Sequence, residues 1–333
     1  MDDNVKKINM KPKFIDELSI PVVAAPMFLI SGPKLVIECC KNGIVGTFPA
    51  LNCRTTEDFE KWVIEIKEEL EKYERESGKK AAPFGVNLIV HLTNPRVQPD
   101  LEICIKHKVP IIITSLGAVS DLVKAVHSYG GIVYHDIIKK RHAEKAAEAN
   151  VDGLILVAAG AGGHAGIINP IALVNEIKKF FNKTILLAGS ISNGNDVAAA
   201  IQMGADLAWM GTRFINVEES LADEKYKKMI IDSSAEDIVY TAAVSGVNAS
   251  FLRSSLEAMG ITEEMWSKTK KIDFGSELDV AKAEAKAWKT IWSAGQGVTS
   301  INNVKSIKSL VSELKKEFLL GLERMKEVYK TYN

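Results

Sequence analysis

Short apolar runs recur along the first two thirds of the chain, and stretches with apolar residues at three- and four-residue spacing separate them. The runs cover 22–27, 44–48, 82–90, 109–115, 131–135, 153–157, 184–190 and 207–212. Helical spacing predicts helices over 33–41, 56–76, 100–106, 121–128, 141–149, 170–181 and 196–203. Thr56, with Glu57 and Asp58 behind it, offers a cap and first-turn acids to the second of these. Continuous apolar runs suit strands covered on both faces. Strand–helix alternation at this spacing means a parallel sheet. Eight such units favour a closed (β/α)8 TIM barrel, with an open doubly wound sheet as the alternative.

Beyond Asn216 the rhythm stops. Helices are predicted over 220–232, 280–292 and 303–329, the last with Leu310, Leu314, Phe318 and Leu322 on one face. The stretch 240–259 has no clear period. The expected organisation is a barrel over 1–218 and a smaller helical domain over 219–300 above the barrel mouth. A C-terminal helix within 301–333 can return to the barrel wall as its eighth helix.

Composition narrows the class. The chain's 333 residues can form one barrel-sized domain with an appendage, or two domains. Hydrophobic residues are 47% and charged residues 25%, the balance of a soluble globular protein. Lys+Arg and Asp+Glu are both 42, so there is no electrostatic case for nucleic acid or a membrane surface. None of Cys39, Cys40, Cys53 and Cys104 forms a C-x-x-C pair, which reads as buried thiols in a reducing compartment. No apolar signal region opens the chain and no run has the eighteen or so apolar residues of a membrane helix, so a cytoplasmic protein is expected.

Ligand groups of a barrel collect at the C-terminal strand ends. Those positions carry Pro26 and Met27, Asn87, Thr114 and Ser115, His135 and Asp136, and the loop Gly160-Ala-Gly-Gly-His164-Ala-Gly166. Gly189-Ser190-Ile191 and Gly211-Thr212-Arg213 complete the set. Glycines at the last two ends let backbone N–H groups approach an anion, and the helix behind adds its positive end. The competing reading is that they only permit tight turns. In the loop, His164 stands among four glycines and two alanines, with room to face a ligand, although a flexible loop with an incidental histidine has the same composition. The loop also satisfies G-x-G-x-x-A, but Gly163, Gly166 and Pro170 delay the helix that a dinucleotide site needs inside its glycines. A Rossmann site is therefore rejected. His135 and His142 have no carboxylate at metal-ligand spacing, and Gly-x-Ser-x-Gly is absent.

Taken in order, Ala25-Pro26-Met27, Asn87 within Phe84-Gly-Val-Asn-Leu88, and Ala161-Gly-Gly-His-Ala-Gly166 lead to Ala188-Gly-Ser-Ile191 and Met210-Gly-Thr-Arg-Phe214. This ordered set resembles the nitronate monooxygenase (2-nitropropane dioxygenase) family of flavoproteins, and Ser293-Ala-Gly-Gln296-Gly297 resembles a further segment of relatives. The resemblance implies a TIM barrel that binds FMN non-covalently beneath a smaller helical domain. Ala25, Pro26, Met27 and Asn87 would contact the flavin, with Ser115, His135, Gly162 and Gly163 completing the cofactor-binding set. Gly189, Ser190, Ile191, Gly211 and Thr212 would hold the FMN phosphate, and His164 would be the catalytic base. The chain departs from the family at Ser190, where a glycine is usual, and at Ala165, where a larger residue is frequent. The implied reaction is oxidation of alkyl nitronates or nitroalkanes by O2 to carbonyl compounds and nitrite. Relatives with the same barrel imply the alternative of NAD(P)H-dependent reduction of quinones or enoyl thioesters. A redox-silent barrel that binds a phosphorylated small molecule is a third reading. A homodimer is the base-rate expectation, and the role of Gln296 is open.

Overall fold

A computed structural model of the chain describes residues 11–91, 93–117, 120–244, 246–267 and 291–333. Eight parallel strands close in sequence order: β1 (Val22–Ala24), β2 (Val45–Pro49), β3 (Phe84–Ile89), β4 (Ile111–Ser115), β5 (Ile132–Ile137), β6 (Gly153–Val157), β7 (Thr184–Ala188) and β8 (Leu207–Met210). The ladder Val22↔Ala208, Val23↔Trp209, Ala24↔Met210 joins β8 to β1, so the TIM barrel stands and the open sheet does not. β1 is shorter than its apolar run because Pro26, which has no N–H, cannot extend the ladder.

Alternation along the strands sorts their side chains between two apolar environments. Val23, Val45, Ile111, Ile113, Tyr134, Ile155, Leu186 and Leu207 fill the barrel, and Phe14 and Ile15 of the N-terminal helix Phe14–Glu17, with Leu18 just after it, pack against them. Val86, Leu88, Ile112, Val133, Leu154, Leu156, Ile185 and Leu187 face the outer helices instead. Each fully buried Leu or Ile contributes about 1.5–3 kcal/mol, and burial on both faces is why the strand runs are continuous. Two residues further along each strand lies the layer beneath the mouth, formed by Ala25, Thr47, Asn87, Ser115, Asp136, Val157, Ala188 and Trp209.

The helices Pro33–Lys41, Thr56–Ser77, Val97–Lys106, Ser120–His127, Lys140–Glu148, Pro170–Ile177 and Gly194–Met203 surround the barrel. The second is capped one residue earlier than the sequence suggested, since Thr55 accepts from Asp58 N, and it ends at Gly78 in the left-handed region (φ 67°). The C-terminal helix Ile307–Tyr332 packs along Gly194–Met203 and also touches Pro33–Lys41, the position of an eighth outer helix. A Cβ at Gly194 would lie 2.1 Å from Leu314 O, so this approach requires glycine there. From Glu323 onward the helix is exposed.

The segment expected to be helical contains the helix Glu224–Ile231, capped by Asp223, and also an antiparallel pair, β9 (Ile238–Thr241) and β10 (Ala249–Leu252). Buried Val239 and Thr241 alternate with exposed Tyr240, a period of two too short to stand out in the sequence. The helix expected over 280–292 falls on residues outside the described ones up to 290. All four cysteines are buried and unpaired. No described helix is long and apolar enough to cross a membrane.

Candidate active site at the barrel mouth

β6 runs into the glycine loop, which closes on itself. Gly166 N donates to Val157 O (3.0 Å) and Ala159 N to Ile168 O (2.9 Å). Gly160 and Gly163 have φ of 86° and 66°, a conformation that favours glycine. The next helix starts only at Pro170, with Asn169 as its cap, so no loop glycine sits in a helical turn. The hairpin grips the loop on both sides of His164: Ser250 N donates to Gly163 O and Tyr240 Oη donates to Ala165 O, each at 2.9 Å. Solvent reaches His164, yet the protein around the ring removes enough water to lower its pKa below the usual imidazole value. At neutral pH it is therefore a neutral imidazole that can accept a proton. The flexible-loop reading does not fit a segment anchored at four carbonyl oxygens.

Across the mouth, three consecutive strands contribute a polar line. Asn87 Nδ2 donates to Ser115 Oγ (2.8 Å) and, at 3.4 Å, to Ile113 O; Ser115 Oγ donates to Asp136 Oδ2. Burial pushes the Asp136 carboxyl up to about 6, and the Ser115 hydroxyl opposes that shift. His135, expected among the flavin contacts, is placed elsewhere. It shares the outward face of β5 with Val133 and Ile137, and its Nδ1 meets Thr114 Oγ1 at 2.7 Å. Burial, with His142 nearby, lowers its pKa to about 4, so it is a neutral histidine between sheet and helices. Strand alternation turns Asp136, not His135, toward the mouth. Trp209 packs with Val157, Ala161, Ala165 and Ala188 beneath the glycine loop.

The two glycine turns lie beside one another at the ends of β7 and β8. Gly189 (φ 130°) and Ser190 (φ 55°) both hold left-handed backbone. Ser190 N is engaged by Gly160 O at 3.3 Å, so at this position the turn presents the serine hydroxyl rather than the amide. Carboxylates already occupy the start of the helix behind. Asp196 accepts from Ser192 N and Asn193 N, and Glu317 of the C-terminal helix accepts from Gly194 N at 2.7 Å. Among the described residues, Ile191 N and Thr212 N have no backbone acceptor, and the buried Ser192 hydroxyl has no partner. These groups are what the turns can offer an anion.

The segment 293–297 roofs the turns. Gly295 N donates to Thr212 Oγ1 and Gln296 N to Gly160 O, both at 2.9 Å. Glycine packs on glycine here, because a Cβ at Gly295 would come within 2.5 Å of Gly160 O. Gln296 Oε1 and Ser190 Oγ converge on one point beside Gly160, at 3.1 and 2.2 Å from where its Cβ would be. Opposite, the loop after β1 is held by Asn52, which accepts from Leu29 N (2.8 Å) and donates to Met27 O (3.1 Å) and Ser31 O (2.8 Å). That grip sustains Leu29 at φ 61°.

Thus His164, Gly162, Gly163, Ala25, Pro26, Met27, Asn87, Ser115, Gly189, Ser190, Ile191, Gly211 and Thr212 gather at the C-terminal strand ends, and His135 does not. The sequence placed Asp136 at a strand end without giving it a role, and it did not single out Asn52 or Tyr240; all three work through neighbours rather than through a motif.

The model of the nitronate monooxygenase family matches residues 50–317. The chain is 24% identical to a nitronate monooxygenase of Paraburkholderia phytofirmans, over 92% of this chain and 94% of that one. It is 28% identical to a candidate monooxygenase of Mycobacterium tuberculosis, where the match covers 69% of this chain and 64% of the relative's length. Among solved structures, a point mutant of FabK from Thermotoga maritima superposes with a TM-score of 0.76 at 26% identity, covering 94% of this chain and 97% of that one. Over four fifths of its length, with the loop, strand-end asparagine and glycine turns in one mouth, the chain belongs to the nitronate monooxygenase family.

Proposed function

We propose that this barrel mouth binds FMN and oxidises alkyl nitronates with O2 to carbonyl compounds and nitrite. The observation that carries the reading is the placement of a neutral histidine, fixed through both neighbouring carbonyls, above a mouth whose far side offers anion-binding groups. The residues suit the flavin. A Cβ at Gly211 would meet only Ala25 Cβ at 3.8 Å and Met27 Sδ at 4.0 Å, and one at Gly163 would meet nothing within 4 Å, so both glycines border open space. Ile191 N, Thr212 N and the hydroxyls of Ser190 and Ser192 suit a phosphate, which asks for donors.

When bound, FMN would supply the electron transfer and the reaction with O2. The chain's own task is orientation and proton handling. Asn87 and the 25–27 segment would hold the ring system, and the two turns the phosphate. His164 can take the proton from the carbon next to a nitro group. With its other ring nitrogen protonated, it can also donate a hydrogen bond to an anionic nitronate oxygen. Residues 219–300 would form the smaller domain that covers this mouth. Purified protein loaded with FMN should show bleaching of the flavin absorbance on anaerobic addition of propyl nitronate. Unchanged absorbance would count against the reading.

A further inference from the structure

Asp136 is the carboxyl of the mouth layer that no motif singled out. Its partner is a hydroxyl, and among the described residues no cation pairs with it. An ionised carboxylate only accepts, so Ser115 must donate to Asp136 and leave its lone pairs for Asn87 Nδ2. Ile113 O, a second acceptor beside the same amide nitrogen, favours the same orientation. Among the described residues, Asn87 Oδ1 then has no hydrogen-bond partner, its amide bonds both running from Nδ2.

We propose that Asp136 is a positioning residue that, through Ser115, fixes the Asn87 amide with its oxygen toward the mouth and so selects a ligand ring edge that donates an N–H. The flavin ring, with an imide N–H between two carbonyls, is a ligand of this kind, and to that extent the inference rests on the FMN reading. If Asp136 gains a proton it can donate to Ser115, the line can reverse, and Asn87 can turn its NH2 outward. The acceptor at the mouth is then lost. The sign follows: acceptor geometry holds above the Asp136 pKa and fades below it.

The other titratable groups nearby do not imitate this response. His135 on the same strand faces outward to Thr114. Lys139, Lys140 and Arg141 at the start of the next helix form no ion pair with Asp136, Lys140 being engaged with Glu144. Burial lowers the pKa of His164, on the loop after β6, and no hydrogen bond or ion pair joins it to Asp136, whose partner is Ser115.

The test is the dissociation constant of FMN, followed by flavin fluorescence from pH 5 to 8, for the wild type, Asp136→Asn and Ser115→Ala. The FMN phosphate and His164 titrate in all three proteins, so the ratio to wild type at each pH isolates Asp136. One lost hydrogen bond should weaken wild-type binding by an extra 3- to 10-fold, roughly, at pH 5 relative to either variant. A ratio that stays constant with pH in both variants overturns the proposal, even with FMN bound. No FMN binding by folded wild-type protein overturns both this proposal and the FMN reading. Should Asp136→Asn fail to fold, Ser115→Ala breaks the same line and decides alone.

Discussion

Replacing His164 by Ala should lower turnover of alkyl nitroalkanes by about 10²–10⁴-fold, the usual contribution of a positioned general base, while FMN stays bound. The loop's shape has support from the backbone. It rests on Gly166 N to Val157 O, Ala159 N to Ile168 O and the hairpin's two bonds to Gly163 O and Ala165 O, all of which involve backbone oxygens. The loss should therefore appear in kcat rather than in flavin occupancy, which the absorbance spectrum reports. The pH profile gives a second reading. Burial lowers the His164 pKa, so the base form persists down to an acidity where an ordinary histidine would already be charged. Wild-type kcat/KM should be level at neutral pH and fall on acidification, with a midpoint below 6.5. The His164→Ala protein should lack that limb. Full activity in the variant would remove His164 from the chemistry.

Gly295→Ala should destabilise the roof over the glycine turns and weaken FMN binding by about 10-fold or more. The added Cβ would lie 2.5 Å from Gly160 O and 2.8 Å from Gly162 N, both backbone atoms that cannot rotate aside. Overpacking of this kind costs about 1–3 kcal/mol. Any retreat of the segment also lengthens the Gly295 N–Thr212 Oγ1 and Gln296 N–Gly160 O bonds, each 2.9 Å. Since 1.4 kcal/mol is about a factor of ten in affinity, a tenfold loss is at the lower end of the expected range. Fluorescence titration with FMN and thermal unfolding with and without it check this. Unchanged affinity in the variant would separate the 293–297 segment from the site.

The barrel was legible because burying strands on both faces writes uninterrupted apolar runs, and eight of them stood between helical patterns. The mouth was legible where glycine or asparagine interrupts such runs. What escaped depends on facing and on distance along the chain. His135 and Asp136 are adjacent, and only Tyr134 packing inside the barrel decides that Asp136 turns inward. A continuous apolar run does not reveal that register. The open helix end expected behind Gly189 is closed by Glu317, which lies 123 residues beyond Gly194. The hairpin that anchors His164 consists of two strands of four residues each, too brief for a period to show.

The proposed reaction turns nitronate and O2 into a carbonyl compound and nitrite. The most direct measurement is nitrite released by the FMN-loaded protein from propyl nitronate in air, with O2 consumption followed in the same vessel. Nitrite should form catalytically, in step with O2 uptake and without added NAD(P)H. No nitrite, together with rapid anaerobic bleaching of the flavin by NADH or NADPH, would contradict the claim and make the protein a nicotinamide-dependent reductase.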